Sequence, residues 1–347
     1  MTAQALAALV GGRLEGDGTT VLRRLAPLDR AGPDALSFLI APPYLAAFRQ
    51  TAAGAVLVAE PLARESGGPA TRIVVARPEE ALARAAAALH PGREAAPGID
   101  PGARIAPGTA VPPDAFVGPF AVVGAGVRLG ARVVIEAGAW VGDGVTIGDD
   151  AVVGPHAVCY PGTVLGRRVV LKAGAVVGGP GFRFLPGADG PRRIPHVGGC
   201  VLEDDVEIGS GTCVDRGSFD DTVIGAGTKI DNLVQVAHNV RLGKRCLVAA
   251  TTGIAGSVRI GDDVVVAGGV GIADHVVVGD GAVLTAKSVV IGDVAPRATV
   301  SGYPARPHRT FLRAQAALYR LPALLERLDP DPREEPAGSA PDDRADG

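Results

Sequence analysis

The feature that most constrains this chain is a six-residue repeat of aliphatic side chains. From Ile99 to Val177 every sixth residue is aliphatic, except where Cys159 takes the position. A second run with a shifted phase extends from Ile224 to Val290. This period is too short for a helical repeat and is typical of a parallel β-solenoid, in which each hexad forms one short strand and one turn. Three hexads would close a coil of about 18 residues, and the coils are predicted to stack about 4.8 Å apart.

The composition indicates a repeat architecture and not a disordered chain. The 347 residues include 49 Gly and 28 Pro, and the glycines fall in phase with Val, Ile and Leu. A net charge of −3 gives no basic field for nucleic acid. We find no leader with an apolar core and no apolar run of about 18 residues, so a cytoplasmic protein is expected. The four cysteines lack CxxC spacing, which predicts neither a zinc site nor a disulfide framework.

The predicted fold is mainly β, with smaller segments on both sides of the solenoid. In chain order we expect an α/β domain, the solenoid, a helical extension and a disordered tail: 1–98, 99–302, 303–328 and 329–347. Within the first segment, the apolar patterns predict helices and strands: 2–10 and 78–89 as helices, 37–40, 55–59 and 73–76 as strands. The extension is predicted to contain a helix over 311–328.

Two interruptions of the repeat are expected to form surface loops. The period is lost between Gly178 and Val201, and the step from Val214 to Ile224 is four residues too long. A solenoid accepts insertions as loops that leave its surface, and such loops are often functional. Inert excursions are the alternative interpretation.

His238, in the segment IDNLVQVAHNVRLG, is the outstanding candidate for chemistry. With a coil of about 18 residues, Gly256 stacks on His238, and the column of Gln235 continues as Gly253 and Gly271. The coils after His238 are therefore predicted to expose bare backbone, along which a thin, extended substrate can lie. The alternative is that these glycines serve only the tight turns.

Several motifs together resemble the UDP-3-O-(3-hydroxyacyl)glucosamine N-acyltransferase family of lipid A biosynthesis. They are IDNLVQVAHNVRLG, VDRGSFDDTVIG, GPGFRF, RIPHVGG, IADHVVVGD and SGYPARP, and the similarity covers nearly the whole chain. The resemblance implies a uridine-binding N-terminal domain, a left-handed β-helix and a C-terminal extension that meets acyl carrier protein. The left-handed winding comes only from the resemblance, because the general crossover rule favours the right hand. Hexapeptide acyltransferases also imply a homotrimer with active sites between subunits.

The reaction implied by the resemblance moves a 3-hydroxyacyl chain from acyl carrier protein to the 2-amine of UDP-3-O-acylglucosamine. His238 would be the general base, because an imidazole that titrates near neutrality suits the proton that the attacking amine loses. A backbone N–H at Gly256 would stabilise the oxyanion, and His275 matches a second histidine of the family. No metal and no cofactor are expected, since the phosphopantetheine arrives on the carrier protein. A peripheral contact with the membrane is compatible with this reaction but not required.

The resemblance also implies residues for the UDP-sugar. Phe38 and Tyr44 match an aromatic pair that stacks on the uracil ring. Ala41 departs from the family, which often has Asn at this position. Three polar residues before His238 match positions near the sugar nucleotide, with capping of solenoid turns as the alternative: Asp231, Asn232 and Gln235.

Arginines at two places are further candidates for contacts with anions. Arg306, Arg309 and Arg313 form a basic segment that could dock an acidic carrier protein, although a solvated helix face is the alternative. Arg183 stands where the family commonly has Gly, and it would meet either a phosphate or water.

Three other classes of function are compatible with a hexapeptide solenoid: another acyltransferase, a hydratase and a structural role. A sugar-nucleotide O-acyltransferase or an acetyl-CoA-dependent N-acetyltransferase would leave the N-terminal domain with Phe38 and Tyr44 unexplained. A metal-dependent hydratase of the carbonic anhydrase kind needs three histidines at one interface, and His156, His238 and His275 are poorly arranged for this. A purely structural solenoid would leave the bare channel unexplained.

Overall fold

The structure, a computed structural model, describes residues 1–91, 95–302 and 308–328. It divides the chain into two compact units, Met1–Ala95 and Ala96–Gly347. The predicted tail over 329–347 and the candidate docking residue Arg306 lie outside the described residues. No helix in the described ranges combines the length and the apolar character that a bilayer crossing needs.

The first unit contains one sheet of five strands: β1 Arg13–Glu15, β2 Arg24–Leu25, β3 Ala35–Leu39, β4 Ala55–Ala59 and β5 Arg72–Val75. The strand order in this sheet is β1-β5-β4-β3-β2, and only the β1–β5 pair is antiparallel. Its α-helices are α1 Ala3–Val10, α2 Leu45–Gln50 and α3 Pro78–Leu89, and 3₁₀ turns occupy Pro42–Tyr44 and Glu60–Leu62.

The predicted elements of this unit are confirmed, and the predicted bounds of α3 and β4 agree with the structure. Helix α1 begins one residue later than predicted, because Thr2 is its N-cap and its Oγ1 accepts the Ala5 N–H. The patterns do not predict β1 and β2, since strands of three and two residues carry too few positions to establish an alternation.

Within the described residues, three parallel sheets form the faces of the solenoid, and each coil passes through face 1, face 2 and face 3 in turn. Face 1 has 11 strands: Gly98–Ile99, Phe116–Val117, Val134–Ile135, Val152–Val153, Val170–Leu171, Glu207–Ile208, Lys229–Ile230, Leu247–Val248, Val265–Val266, Val283–Leu284 and Thr299–Val300. Face 2 has 10: Arg104–Ile105, Val122–Val123, Trp140–Val141, Val158–Cys159, Val176–Gly179, Cys213–Asp215, Gln235–Val236, Gly253–Ile254, Gly271–Ile272 and Val289–Val290. Face 3 has 8: Arg128–Leu129, Thr146–Ile147, Val164–Leu165, Cys200–Leu202, Thr222–Ile224, Arg241–Leu242, Arg259–Ile260 and Val277–Val278.

The predicted parallel solenoid is thus confirmed, and its core is the aliphatic column of the repeat. Ile135 pairs with Val153 one coil later, at the 18-residue spacing that the period predicts, and both side chains are fully buried. Burial of one such side chain contributes about 1.5–3 kcal/mol, so stability accumulates coil by coil. Cys159 is a buried member of this column, as predicted. The direction of winding stays a prediction.

Turns of the solenoid adopt left-handed backbone conformations without requiring Gly. Asn239, Ser257 and His275 occupy the same position in three successive turns, with φ angles of 61°, 62° and 61°. A glycine elsewhere in these turns therefore needs another physical reason.

The helix predicted at 311–328 is observed as His308–Leu328, so it begins three residues earlier and ends at the predicted residue. It continues through Pro322. Arg313 and Arg320 are exposed on it.

Candidate active site

The two loops that interrupt the repeat bond to each other. The step between stacked positions grows from 18 residues to 37 at the first loop and to 22 at the second. The first loop contains a hairpin of two short strands, Phe184–Leu185 and Arg192–Arg193. Val197 N–H donates to the Ser218 carbonyl at 2.8 Å, and Gly217 N–H donates to the Gly199 carbonyl at 3.0 Å. Two irregularities that are distant in the sequence thus form one structure.

His238 lies in the turn from face 2 to face 3, and Asn239 fixes the orientation of its ring. Nδ1 of His238 is 3.0 Å from Oδ1 of Asn239. The same oxygen accepts the Ser218 N–H at 3.0 Å, while Nδ2 of Asn239 donates to the Asp220 carbonyl at 3.1 Å. Since a backbone N–H only donates and a carbonyl only accepts, the Asn239 amide has one consistent assignment. Nδ1 of His238 therefore carries the proton, which leaves the lone pair on Nε2.

Gly256 faces the Nε2 edge of this ring from the next coil. A Cβ built on Gly256 would lie 2.8 Å from Cε1 and 3.0 Å from Nε2 of His238. Gly256 does not have a positive φ, so clearance for the imidazole explains the glycine and turn geometry does not. Among the described residues its N–H donates no hydrogen bond, whereas the corresponding N–H of Lys244 donates to Asp262 at 2.8 Å. A free donor therefore lies beside the candidate base.

Gly253 and Gly271 form a bare strip on face 2, between Gln235 and Val289 in the same column. Neither glycine has a positive φ, and a Cβ added to either would meet nothing within 4 Å. Neither backbone conformation nor packing requires Gly at these positions. This observation favours the predicted channel over the alternative in which the glycines serve only the turns.

Asp215 is a second titratable group beside His238. It ends a strand of face 2, and its Oδ2 accepts Nε2–H of Gln235 at 3.0 Å. Burial raises the pKa of the Asp215 carboxyl to about 6, although the hydrogen bond from Gln235 and the nearby His238 oppose the shift. Carboxyls with a pKa raised by burial cluster at active sites.

His196, at the end of the first loop, packs against His238. The two ring centres are 5.2 Å apart and the rings are inclined by 60°. Burial and, to a smaller extent, His238 lower the pKa of His196. The Ile194 carbonyl opposes this shift without reaching hydrogen-bond geometry with the ring. His196 is therefore neutral at physiological pH.

Gly181 lies where these three side chains converge. A Cβ built on Gly181 would be 3.0 Å from Nε2 of His196, 3.1 Å from Cβ of His238 and 3.3 Å from Oδ2 of Asp215. A side chain at this position would therefore crowd the three groups beside the base.

The structure does not bring the other predicted polar residues into hydrogen bonds with His238. His275 lies exposed in the equivalent turn two coils along, where its backbone N–H donates to the Gly256 carbonyl at 3.1 Å. Asp231 and Asn232 lie in the turn from face 1 to face 2, and Oδ1 of Asn232 accepts the Ser210 N–H at 2.7 Å. This hydrogen bond caps a turn of the solenoid, which is the alternative role that the sequence offers for Asn232. Substrate binding by these residues stays a prediction.

His156 lies at a different corner of the solenoid, in an earlier turn from face 1 to face 2. In the parts of the chain that the structure describes, no group of three or more His, Cys, Asp or Glu side chains could hold a metal ion. The arrangement therefore offers no support for the hydratase alternative.

Phe38 and Tyr44 line one cavity of the first unit, with a volume of about 410 Å³. Phe38 lies half-buried on β3, and Tyr44 ends the 3₁₀ turn with an exposed ring. Two aromatic rings beside one cavity suit a flat base. Ala41 does not line this cavity, and Asp29 is the charged residue of the lining.

The predicted anion-binding arginines have different surroundings. Arg313 is exposed on the C-terminal helix, which also includes Arg309, whose side chain lies outside the described residues. The guanidinium carbon of Arg183 lies 6.0 Å from the ring centre of Phe219, which adds a contact between the two loops.

Sequence reasoning missed three residues that surround His238: Asn239, Asp215 and His196. Each belongs to a motif that supports the family resemblance. The 18-residue stacking rule does not reach across the two loops, so it cannot place His196 or Asp215 beside the base. Asn239 could have been found, because it directly follows His238 in the turn.

Comparisons with protein families agree with both units. A family model described as UDP-3-O-(3-hydroxymyristoyl) glucosamine N-acyltransferase, LpxD, matches residues 19–88. The bacterial transferase hexapeptide model (six repeats) matches 144–179 and 221–256, and the hexapeptide repeat of succinyl-transferase matches 114–143 and 239–274. Among solved structures, UDP-N-acetylglucosamine acyltransferase from Campylobacter jejuni aligns with a TM-score of 0.44 at 21% identity, over 67% of this chain and 85% of that chain. A likeness at this level carries no functional argument.

Relatives that align over most of this chain identify its family. UDP-3-O-acylglucosamine N-acyltransferase of Syntrophotalea carbinolica is 48% identical over 93% of this chain and 93% of its own length. The protein of the same name from Myxococcus xanthus is 52% identical over 93% of each chain. With this similarity across both units, the chain belongs to the UDP-3-O-acylglucosamine N-acyltransferase family.

Proposed function

We propose that this protein transfers a 3-hydroxyacyl chain from acyl carrier protein to the 2-amine of a UDP-3-O-acylglucosamine. The observation that carries the proposal is the orientation of His238. Because Nδ1–H is held by Asn239, the lone pair of Nε2 is directed toward the space beside Gly256. The names of the relatives support the UDP-sugar acceptor.

In this proposal His238 is the general base. The amine attacks the thioester carbon, a C–N bond forms, and the carbonyl π electrons move to the oxygen. Nε2 of His238 accepts the proton that the nitrogen loses. The resulting imidazolium donates from both nitrogens, and Oδ1 of Asn239 stabilises it through Nδ1–H.

The N–H of Gly256 stabilises the oxyanion of the tetrahedral intermediate. When the intermediate collapses, the carbonyl re-forms, the C–S bond breaks, and the imidazolium gives its proton to the departing phosphopantetheine thiolate. The base is then restored. The sequence of steps forms no covalent enzyme intermediate and uses no further cofactor.

The remaining substrate contacts follow the same proposal. The acyl chain lies on the strip of Gly253 and Gly271, and the uracil ring lies between Phe38 and Tyr44. His275 contacts a phosphate or the pantetheine arm, and Arg313 contributes to docking of the carrier protein. A homotrimer with active sites between subunits and a cytoplasmic location are also proposed, on the family resemblance.

The test is incubation with 3-hydroxyacyl carrier proteins of graded length and UDP-3-O-acylglucosamine, followed by mass spectrometry of the product. We expect one added 3-hydroxyacyl group, held by a base-stable amide bond. The His238→Ala variant should lose activity by about 10²–10⁴-fold, the usual contribution of a general base. A fully active His238→Ala enzyme would overturn the mechanism, and an ester-linked product would overturn the proposed acceptor atom.

A further inference from the structure

His196 has no part in the reaction described so far, although its ring lies beside that of His238. Only 8% of His196 is exposed, and within the described residues neither ring nitrogen has a hydrogen-bond partner. A buried polar group without a partner costs stability, and such a group in an active site points to a ligand that completes its hydrogen bonds.

The backbone on both sides of His196 is fixed. Ile194 N–H donates to the Arg183 carbonyl at 3.0 Å, and Val197 N–H donates to the Ser218 carbonyl at 2.8 Å. The ring also packs against that of His238. The position of the ring, with its two buried nitrogens, is therefore fixed.

The chemistry of the ring restricts the ligand group. Burial keeps His196 neutral, and a neutral imidazole offers one N–H donor and one acceptor nitrogen. A hydroxyl group can bond to either nitrogen because it both donates and accepts, whereas a carbonyl or a fully ionised phosphate oxygen can bond only to the N–H. The ring centres of His196 and His238 are 5.2 Å apart, so a group bound to His196 lies close to the reacting carbon. In the proposed donor, the 3-hydroxyl is carried by the carbon two bonds from the thioester carbonyl.

We propose that His196 binds the 3-hydroxyl group of the acyl donor and thereby selects 3-hydroxyacyl chains over unsubstituted chains of the same length. This inference rests on the proposed function, since it requires an acyl thioester beside His238. An unsubstituted chain would leave the nitrogen that meets the hydroxyl without a partner, and sites of this kind reject analogues that lack the hydroxyl.

The experiment compares kcat/KM for two carrier-protein donors of equal chain length, one with and one without the 3-hydroxyl. We expect the wild-type enzyme to prefer the hydroxylated donor by at least about 10-fold. His196→Leu should bring this ratio down to about 1, because the contact that distinguishes the two donors is lost. His196→Gln should keep much of it, because an amide also donates and accepts. His156→Leu is the matched control, since it makes the same exchange at a distant turn.

The outcomes separate this inference from the proposed function. Lack of N-acylated product from both donors with the wild-type enzyme would refute the proposed function itself. Equal kcat/KM for the two donors in the wild type would refute only the role of His196, and this measurement needs no folded variant. A His196→Leu enzyme that loses activity equally on both donors would also refute it, because its effect would then be structural.

Discussion

Replacing Asn239 by Ala tests the orientation of the proposed base. The change removes the oxygen that lies 3.0 Å from Nδ1 of His238, so the ring can rotate and Nε2 no longer needs to face Gly256. A hydrogen bond to a charged group is worth about 1.5–3 kcal/mol, and the imidazolium that forms during the reaction is such a group. At 1.36 kcal/mol for each factor of ten, kcat should fall by about 10- to 150-fold. We expect little change in KM, because Asn239 contacts neither substrate in the proposed arrangement.

The Asn239→Ala variant also loses stability, which a control must separate from the effect on catalysis. Asn239 has a φ of 61°, which Ala tolerates poorly, and it bonds to Ser218 and Asp220. Ser257→Ala is the matched control, because Ser257 has a φ of 62° at the same position one coil later. Thermal unfolding and steady-state kinetics should be measured on both proteins, with rates normalised to folded enzyme. The same kcat in the two variants would refute the role of Asn239 in orienting the base.

Three further predictions concern the same site. Asp215→Asn should raise thermal stability at pH 7 and have little effect near pH 4. Because its pKa is raised, the Asp215 carboxyl binds more protons in the folded state than in the unfolded state between about pH 4 and 6. The wild-type protein therefore loses stability as the pH rises through that window. The gain at pH 7 should be below about 3 kcal/mol because the carboxyl is partly exposed, and a gain that does not depend on pH would contradict this origin. Gly256→Ala should fold normally and lose activity, since its Cβ would lie 2.8 Å from Cε1 of His238. If the variant is active in a kinetic assay, the imidazole does not need a glycine at this position. Val289→Gly extends the bare strip by one coil, which is about 4.8 Å. In a competition assay the variant should prefer acyl donors with longer chains than the wild type does. An unchanged preference would show that the strip does not hold the acyl chain.

The fold could be predicted from the sequence because the repeat places one aliphatic residue in the core at each step. Ile135 and Val153 are both fully buried for this reason, and no tertiary information is needed to pair them. The same stacking rule correctly places Gly256 beside His238. The rule fails where the period is lost, so the contact between His196 and His238 requires the structure.

The regular coils hold the catalytic groups more rigidly than the loops hold His196. Turn residues of the regular coils are bonded to the coils on both sides: Ser257 N–H donates to the His238 carbonyl at 3.0 Å, and His275 N–H donates to the Gly256 carbonyl at 3.1 Å. The separation of base and oxyanion donor is therefore fixed by the coil spacing of about 4.8 Å. His196 lies on a loop that leaves the regular coils, and its position depends on the hydrogen bonds between the two loops. Substitutions at the contact between these loops should consequently alter which acyl donor is accepted before they alter the chemistry of transfer.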